Sequence, residues 1–235
     1  MMQLLEQHAL AFGLHLTPEQ ITAFQTYHDE LAAWNERANL TAISGTEAVQ
    51  IKHFLDSLTC LLAFPAGAPL RVIDVGTGAG FPGLPIRIVR PDVRLTLLEA
   101  TGKKVDFLRH VVARLGLDDV VILQGRAEDY GRDAAQREQY NVALARAVAE
   151  LRVLAELTLP FCRVGGMVIA QKRAGIDDEI ASAARAIATL GGALRTSIAV
   201  DLPGVEPRQL VLIEKIIPTA VAYPRRAGMP EKRPL

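Results

Sequence analysis

Arg71-Val72-Ile73-Asp74-Val75-Gly76-Thr77-Gly78-Ala79-Gly80-Phe81-Pro82-Gly83 is the stretch whose reading decides the fold. Its first five residues are rich in β-branched side chains, which suit a half-buried pleated strand. The glycines that follow let the backbone take positive φ and approach a ligand with no Cβ in the way. A ligand held there lies beyond the carboxyl end of the strand, at the first strand-to-helix crossover.

A glycine-rich turn by itself also suits a dinucleotide, so its spacing matters. Dinucleotide turns favour Gly-x-Gly-x-x-Gly and set a pyrophosphate on the helix N-terminus. Here the pattern is Gly76-x-Gly78-x-Gly80, with Asp74 two positions before the first glycine. S-adenosylmethionine carries no pyrophosphate, and this spacing favours it over NAD.

Outward from the turn, short β-rich runs at 71–75, 94–98, 119–124, 141–145 and 164–170 alternate with stretches long enough for helices, at 82–90, 102–115, 149–160 and 176–190. Such alternation predicts a parallel sheet with helices on both faces. The ending differs. Runs 194–200 and 209–217 are separated only by a turn region at Leu202-Pro203-Gly204, too short for a parallel crossover, so they form an antiparallel hairpin. The expected fold is therefore α/β: a Rossmann-like, mostly parallel seven-stranded sheet closed by a C-terminal antiparallel hairpin, the outline of class I S-adenosylmethionine-dependent methyltransferases.

Residues 1–69 read as a helical extension before this domain, which occupies 70–217, and 218–235 as a basic tail. Thr17-Pro18 opens a long helix, a cap followed by proline at the first helical position. Ile21, Phe24, Tyr27, Leu31 and Trp34 then form an apolar stripe. A further helix is expected over about 46–64, and Pro65-Ala66-Gly67-Ala68-Pro69 ends it as a linker.

The 235 residues are 50% apolar and 22% charged, with formal net charge zero, ordinary for a soluble globular protein. Zero net charge argues mildly against a polyanion partner. The charge is uneven, however. Residues 1–69 carry Arg37 and Lys52 against seven acidic residues, and 218–235 carry Arg225, Arg226, Lys232 and Arg233 against Glu231. A basic tail of this kind either grips phosphate or is simply solvated. Cys60 and Cys162 lie in apolar runs and read as buried free thiols, and no Cys/His cluster has metal-ligand spacing. Neither a signal peptide nor a run of ~18 apolar residues is visible, so a soluble cytoplasmic protein with no membrane partner is expected.

Several residues stand where such a fold does chemistry. Glu99 ends the second strand, where a carboxylate either accepts both ribose hydroxyls of an adenosine, as in dinucleotide folds too, or is simply an exposed strand-end acid. Gly125-Arg126-Ala127-Glu128-Asp129 follows the third strand, where such folds pass the adenine, and on local grounds reads nearly as well as a plain acidic loop. Arg146 ends the fourth strand and either faces the cleft or finds a buried partner. No Asn/Asp-Pro-Pro-aromatic block and no cysteine nucleophile accompanies it. The acceptor is then a ready nucleophile such as a ring nitrogen. Lys103 and Lys104 open a helix, where cations oppose the macrodipole, which suggests an anion nearby as readily as snorkelling side chains. His53, Asp56 and Ser57 share a helix face, read as a Lys52–Asp56 pair beside a satisfied core histidine.

With these residues in hand, the chain resembles the bacterial small-subunit rRNA guanine-N7 methyltransferase G family, also called glucose-inhibited division protein B, over nearly its whole length. The match includes Trp34-Asn-Glu-Arg-Ala-Asn39-Leu-Thr41, His53-Phe-Leu-Asp-Ser57, the glycine turn through Pro85, Lys103-Lys104 with Phe107-Leu108, Gly125-Arg-Ala-Glu128, Ala145-Arg146-Ala147, Gly165-Gly166 with Lys172, and the tail from Tyr223 to Leu235. The resemblance implies methyl transfer to N7 of a guanine in the decoding-region loop of 16S rRNA, free or in the 30S subunit; a monomer is expected. It implies cofactor contacts at Gly76, Gly78, Phe81, Ala127, Glu128 and Arg146, with Glu99 on the ribose, and makes Arg146 the one candidate for a catalytic role. Lys103, Lys104, Lys172, Arg208, Arg225 and Arg226 become candidates for RNA contact. Gln171-Lys172-Arg173 departs from the family, many of whose members have a lysine followed by glycine there. A small-molecule methyltransferase of the same fold, or a cofactor-sensing binding protein without turnover, are the rival readings.

Overall fold

The structure is a computed structural model that describes residues 2–67, 69–146 and 149–235. Ala68 of the expected linker and Ala147 of the Arg146 motif lie outside the described residues. Three helical segments come first: α1 (Gln3–Ala9), α2 (Pro18–Ala38) and α3, a continuous helical run over 46–63. Thr17 and Gln20 form the capping box of α2, each side chain accepting from the other's backbone N–H. The α3 run is not uniform. Its middle, Gln50–Leu55, winds as a π-helix, a wide turn that rotates the side chains after it relative to an α-helix.

The sheet follows, from β1 (Leu70–Val75), β2 (Val93–Glu99), β3 (Val120–Gln124), β4 (Tyr140–Arg146), β5 (Cys162–Arg173), β6 (Gly192–Val200) and β7 (Arg208–Lys215). Between the strands lie α4 (Gly83–Val89), α5 (Gly102–Arg114), α6 (Ala127–Tyr130), α7 (Leu151–Thr158) and α8 (Asp177–Thr189), and α9 (Met229–Lys232) ends the chain. Strand order is β3-β2-β1-β4-β5-β7-β6. The first five strands run parallel, while β7 pairs antiparallel with β5 and with β6. The expected hairpin is thus present, with its second strand inserted beside β5.

From β1 the chain turns first to β2 and later returns to β4 on the other side. That reversal opens a crevice at the carboxyl ends of β1 and β4, where open α/β sheets bind ligands. One apolar cluster runs from Met2, Phe24, Tyr27 and Phe54 into Leu97, Leu144 and Leu212, so the N-terminal helices share a core with the sheet. Cys60 and Cys162 are both buried thiols. No helix among the described residues is long and apolar enough to cross a membrane.

Candidate functional site

Asp74 organises the glycine turn. Its Oδ2 accepts from Thr77 Oγ1 at 2.6 Å and from the Gly83 amide at 2.8 Å, tying both ends of the turn to the end of β1. Burial pushes this carboxyl up to about 6, against those two hydrogen bonds. Gly76, Gly78 and Gly80 have φ of +69°, +64° and +101°, the left-handed region that favours glycine. At Gly80 an added Cβ would stand 2.5 Å from Tyr27 Oη, whose hydroxyl donates to Ala79 O. At Gly78 it would meet nothing within 4 Å, so this backbone faces open space.

The second wall is Glu99. One carboxylate oxygen accepts from the Gly78 amide at 2.9 Å and the other from the Thr101 amide at 2.8 Å. The side chain is buried yet oriented by two backbone donors, each oxygen keeping a lone pair for a further donor. Gly76, Glu99, Ala127 and Glu128 line one cavity of about 200 Å³. An open glycine wall facing a fixed carboxylate fits the adenosyl and ribose parts of the expected cofactor.

Pro230 and Glu231 also line this cavity, which the sequence did not foretell. The 218–235 segment lies back across the sheet's end rather than projecting. Gly228 N donates to Glu128 Oε1 at 2.8 Å. Arg137 donates to Tyr223 O at 2.7 Å and to Thr219 O at 2.5 Å. Arg225 turns inward. Its backbone N, Nε and Nη2 bond the carboxylate of Glu156, which is 0% exposed. The expectation that Arg225 reaches for RNA gives way here to an internal ion pair, while Arg226 stays exposed. Lys103 and Lys104 open α5 as expected, Lys103 exposed and Lys104 half-buried, away from both cavities described here.

A larger cavity of about 480 Å³ lies at the neighbouring strand end, with Lys52, Arg146, Lys172, Arg173 and Arg208 on its walls. The two cavities adjoin: Ala149 lines the first, and its carbonyl accepts from Lys172 Nζ of the second at 2.9 Å. Lys172 also pairs with Glu179. Arg146 does not line the glycine-walled cavity. It donates to Asp56 Oδ2 at 3.0 Å, to His53 Nδ1 at 3.2 Å and to Lys52 O at 3.3 Å. Its guanidinium lies 5.1 Å from the Phe81 ring centroid, and His53 stacks on that ring at 4.3 Å. Phe81 thus joins the glycine turn to the cationic cleft.

The expected Lys52–Asp56 pair is replaced by Arg146–Asp56. The π-turn through 50–55 breaks the i, i+4 alignment that the pair requires, and Lys52 remains exposed. The histidine is satisfied, as expected. Nδ1 receives the Arg146 proton, so Nε2 carries the hydrogen and donates to Thr41 Oγ1 at 2.8 Å. Burial, and then the Arg146 charge, depress its pKa from 6.5 to about 3, so the ring is neutral. Burial raises the Asp56 carboxyl, while Arg146 and Arg208 pull it down. Thr41 and Tyr27 belong to this arrangement without having been singled out for it. The first stood inside the Asn39-Leu-Thr41 block, the second inside an apolar stripe.

A family model described as GidB, rRNA small subunit methyltransferase G, matches residues 20–202. The chain is 53% identical over 234 residues to the ribosomal RNA small subunit methyltransferase G of Roseiflexus sp., covering 100% of both chains. With the protein of that name from Desulforamulus reducens it is 44% identical, covering 98% of this chain and 97% of that one. Among solved structures, TYW2 of M. jannaschii, in complex with AdoMet, superposes with TM-score 0.55 at 14% identity, over 74% of this chain and 80% of that one. TrmN from Thermus thermophilus gives TM-score 0.56 at 21% identity, over 77% and 53%. At such identities the two structures speak for the fold alone.

Proposed function

The chain belongs to the rRNA small subunit methyltransferase G family, and from that premise we propose that it methylates N7 of one guanine in 16S rRNA, using S-adenosylmethionine. It acts in the cytoplasm as a monomer, on the rRNA or the assembled 30S particle. One observation carries the reading: a glycine-walled cavity and a cationic cleft stand side by side at the ends of β1 and β4, joined through Phe81.

Gly76 and Gly78 offer backbone to the cofactor, Glu99 takes the ribose hydroxyls, and Ala127 and Glu128 flank the adenine. Bound there, the cofactor supplies a methyl group made electrophilic by its sulfonium. Guanine N7 holds an unshared pair in the ring plane and no proton, so its attack needs no general base. That suits His53, whose two nitrogens are already engaged by Arg146 and Thr41. The chain's contribution is placement, an effect that reaches ~7–11 kcal/mol in favourable systems. Arg146 is a positioning residue. It holds His53 and Phe81 in one stack and keeps its charge on Asp56. Lys172 and Arg208 border the cleft that receives the nucleotide, and Arg226 lies exposed on the tail.

Incubation of the purified chain with tritiated S-adenosylmethionine and 30S subunits or 16S rRNA from unmodified cells tests the proposal. Label at a single guanine, stable at N7, is the expected result. Label in small metabolites with none in rRNA would replace it with the small-molecule reading.

A further inference from the structure

Three buried polar atoms in the cationic cleft have no hydrogen-bond partner among the described residues: Asp56 Oδ1, Gln171 Oε1 and Arg208 Nε. All three residues line the same cavity. Asp56 and Gln171 are 4% and 5% exposed, so these are not solvated surface groups. The other end of each side chain is fixed. Asp56 Oδ2 is held by Arg146 at 3.0 Å, and Gln171 Nε2 donates to Asp56 O at 2.6 Å and to Thr59 Oγ1 at 3.2 Å. The amide cannot turn round to satisfy its oxygen without losing both of those bonds. Arg208 Nε stands 3.8 Å from Asp56 Oδ1, too far for a hydrogen bond between them.

Orphaned buried groups of this kind are rare, because each carries a desolvation penalty that a partner would remove. The three together are two acceptors and one donor. Among the four RNA bases, guanine alone presents the complement along its Watson–Crick edge: two donors, N1–H and the 2-amino group, and one acceptor, O6. Adenine offers an acceptor at N1 and no amino group at C2, so two fixed acceptors would repel it. Sequence-selective RNA recognition commonly uses this edge of an unpaired base. Gripping it leaves N7, on the far side of the ring, free to meet the methyl group.

Resting on the rRNA reading above, we propose that Asp56 and Gln171 are the specificity-determining residues that select guanine. Asp56 Oδ1 accepts from N1–H, Gln171 Oε1 accepts from the 2-amino group, and Arg208 Nε donates to O6. Guanine thereby completes a polar set that the folded chain leaves open.

The test replaces the target guanosine with inosine, which keeps N7, O6 and N1–H and lacks only the 2-amino group. In reconstituted 30S particles kcat/KM should fall about 10- to 100-fold, the penalty expected when one buried acceptor, Gln171 Oε1, is left without its donor. In Gln171→Met, guanosine methylation should fall by a similar factor and the guanosine–inosine ratio should approach one. S-adenosylmethionine affinity, measured by calorimetry, should match the unaltered chain. Equal rates on guanosine and inosine with the unaltered chain would overturn the proposal, even if Gln171→Met failed to fold. A guanosine–inosine ratio preserved in Gln171→Met would overturn the assignment of Gln171. If neither particle accepts label, the rRNA reading itself falls.

Discussion

The tail offers a sharp test because two adjacent arginines of equal charge have opposite surroundings. Arg225→Ala removes a guanidinium that bonds Glu156 at 2.9 and 2.6 Å, while Glu156 is 0% exposed and also accepts the Arg225 amide at 2.7 Å. Breaking a buried pair by deleting one partner costs ~3–5 kcal/mol, since the other charge stays behind. Arg225 itself is 23% exposed, which moves the expectation to the low end, about 3 kcal/mol. For a chain of this size each kcal/mol lowers Tm by ~2–4 °C, so a fall of about 6–12 °C is expected in scanning calorimetry. Arg226 is exposed, and Arg226→Ala should change stability by less than ~0.5 kcal/mol. The two changes should also separate in binding. Gly228 to Glu231 adjoin the glycine-walled cavity, so loosening the tail through Arg225 should weaken S-adenosylmethionine binding, and Arg226→Ala should not. Matching melting curves and matching cofactor affinities for the two variants would refute the reasoning and restore a freely projecting basic tail.

Glu99→Ala removes the acceptor for two backbone amides as well as the proposed ribose contact, and should weaken S-adenosylmethionine binding about 10- to 100-fold by calorimetry. Gly80→Ala brings a Cβ within 2.5 Å of Tyr27 Oη and of Leu84, and should be far less stable to urea than Gly78→Ala, which meets only the strain of a positive φ. The His53 pKa is lower in the folded chain, about 3 against 6.5, so its stabilising effect is complete above pH 6.5 and lost as pH falls below it. Each pKa unit is worth ~1.4 kcal/mol, and between pH 7.5 and 5 the unaltered chain should lose about 2 kcal/mol relative to His53→Gln, measured by urea unfolding. The raised carboxyls of Asp74 and Asp56 shift stability the other way, which is why the difference between the two chains, and not one chain's curve, is the quantity to measure.

The sheet was legible because its signals are local. Short β-rich runs, helix-length gaps and a two-strand ending specify a parallel sheet with an antiparallel hairpin, and the strand order agrees. The glycine turn was legible for the same reason, each positive φ falling on a residue without a Cβ. What escaped depends on distant partners. Asp56 meets Arg146 and Arg208 across 90 and 152 positions of sequence, directly after the π-turn at 50–55. A helix wheel at 3.6 residues per turn points Asp56 at Lys52 instead. Arg225 escaped because charge composition distinguishes basic residues from acidic ones but not inward from outward. Glu156, its partner, lies among Val153, Leu154, Ala155 and Leu157 in a mostly apolar helix, and that lone buried acid was the one available hint.

Two of the seven acids of residues 1–69, Glu30 and Asp56, take part in the same long-range pairing. Glu30 bonds His110 at 2.6 Å and Arg114 at 2.7 Å, clamping α2 onto α5. Asp56 answers the arginines at the ends of β4 and β7. Tyr27 and Phe54 carry the apolar half of that contact onto Phe81. The helices therefore form the far wall of the cleft, with Asp56 directed at the arginines at the ends of β4 and β7. Arg173, 78% exposed at the cleft's edge, faces solvent. An acidic extension and an RNA substrate are compatible on this arrangement, because the one carboxylate that the extension places on the cleft wall, Asp56, is paired with Arg146, while Lys52 and Arg173 stand exposed at the same cleft. Cutting the chain at the linker should then do more than remove an appendage. It would uncover Phe81, release Arg146 from Asp56 and take away one wall of the cleft, so a fragment beginning at residue 70 should neither bind S-adenosylmethionine with full affinity nor methylate rRNA. A fragment that kept both properties would show that the helices merely lie against a self-sufficient site.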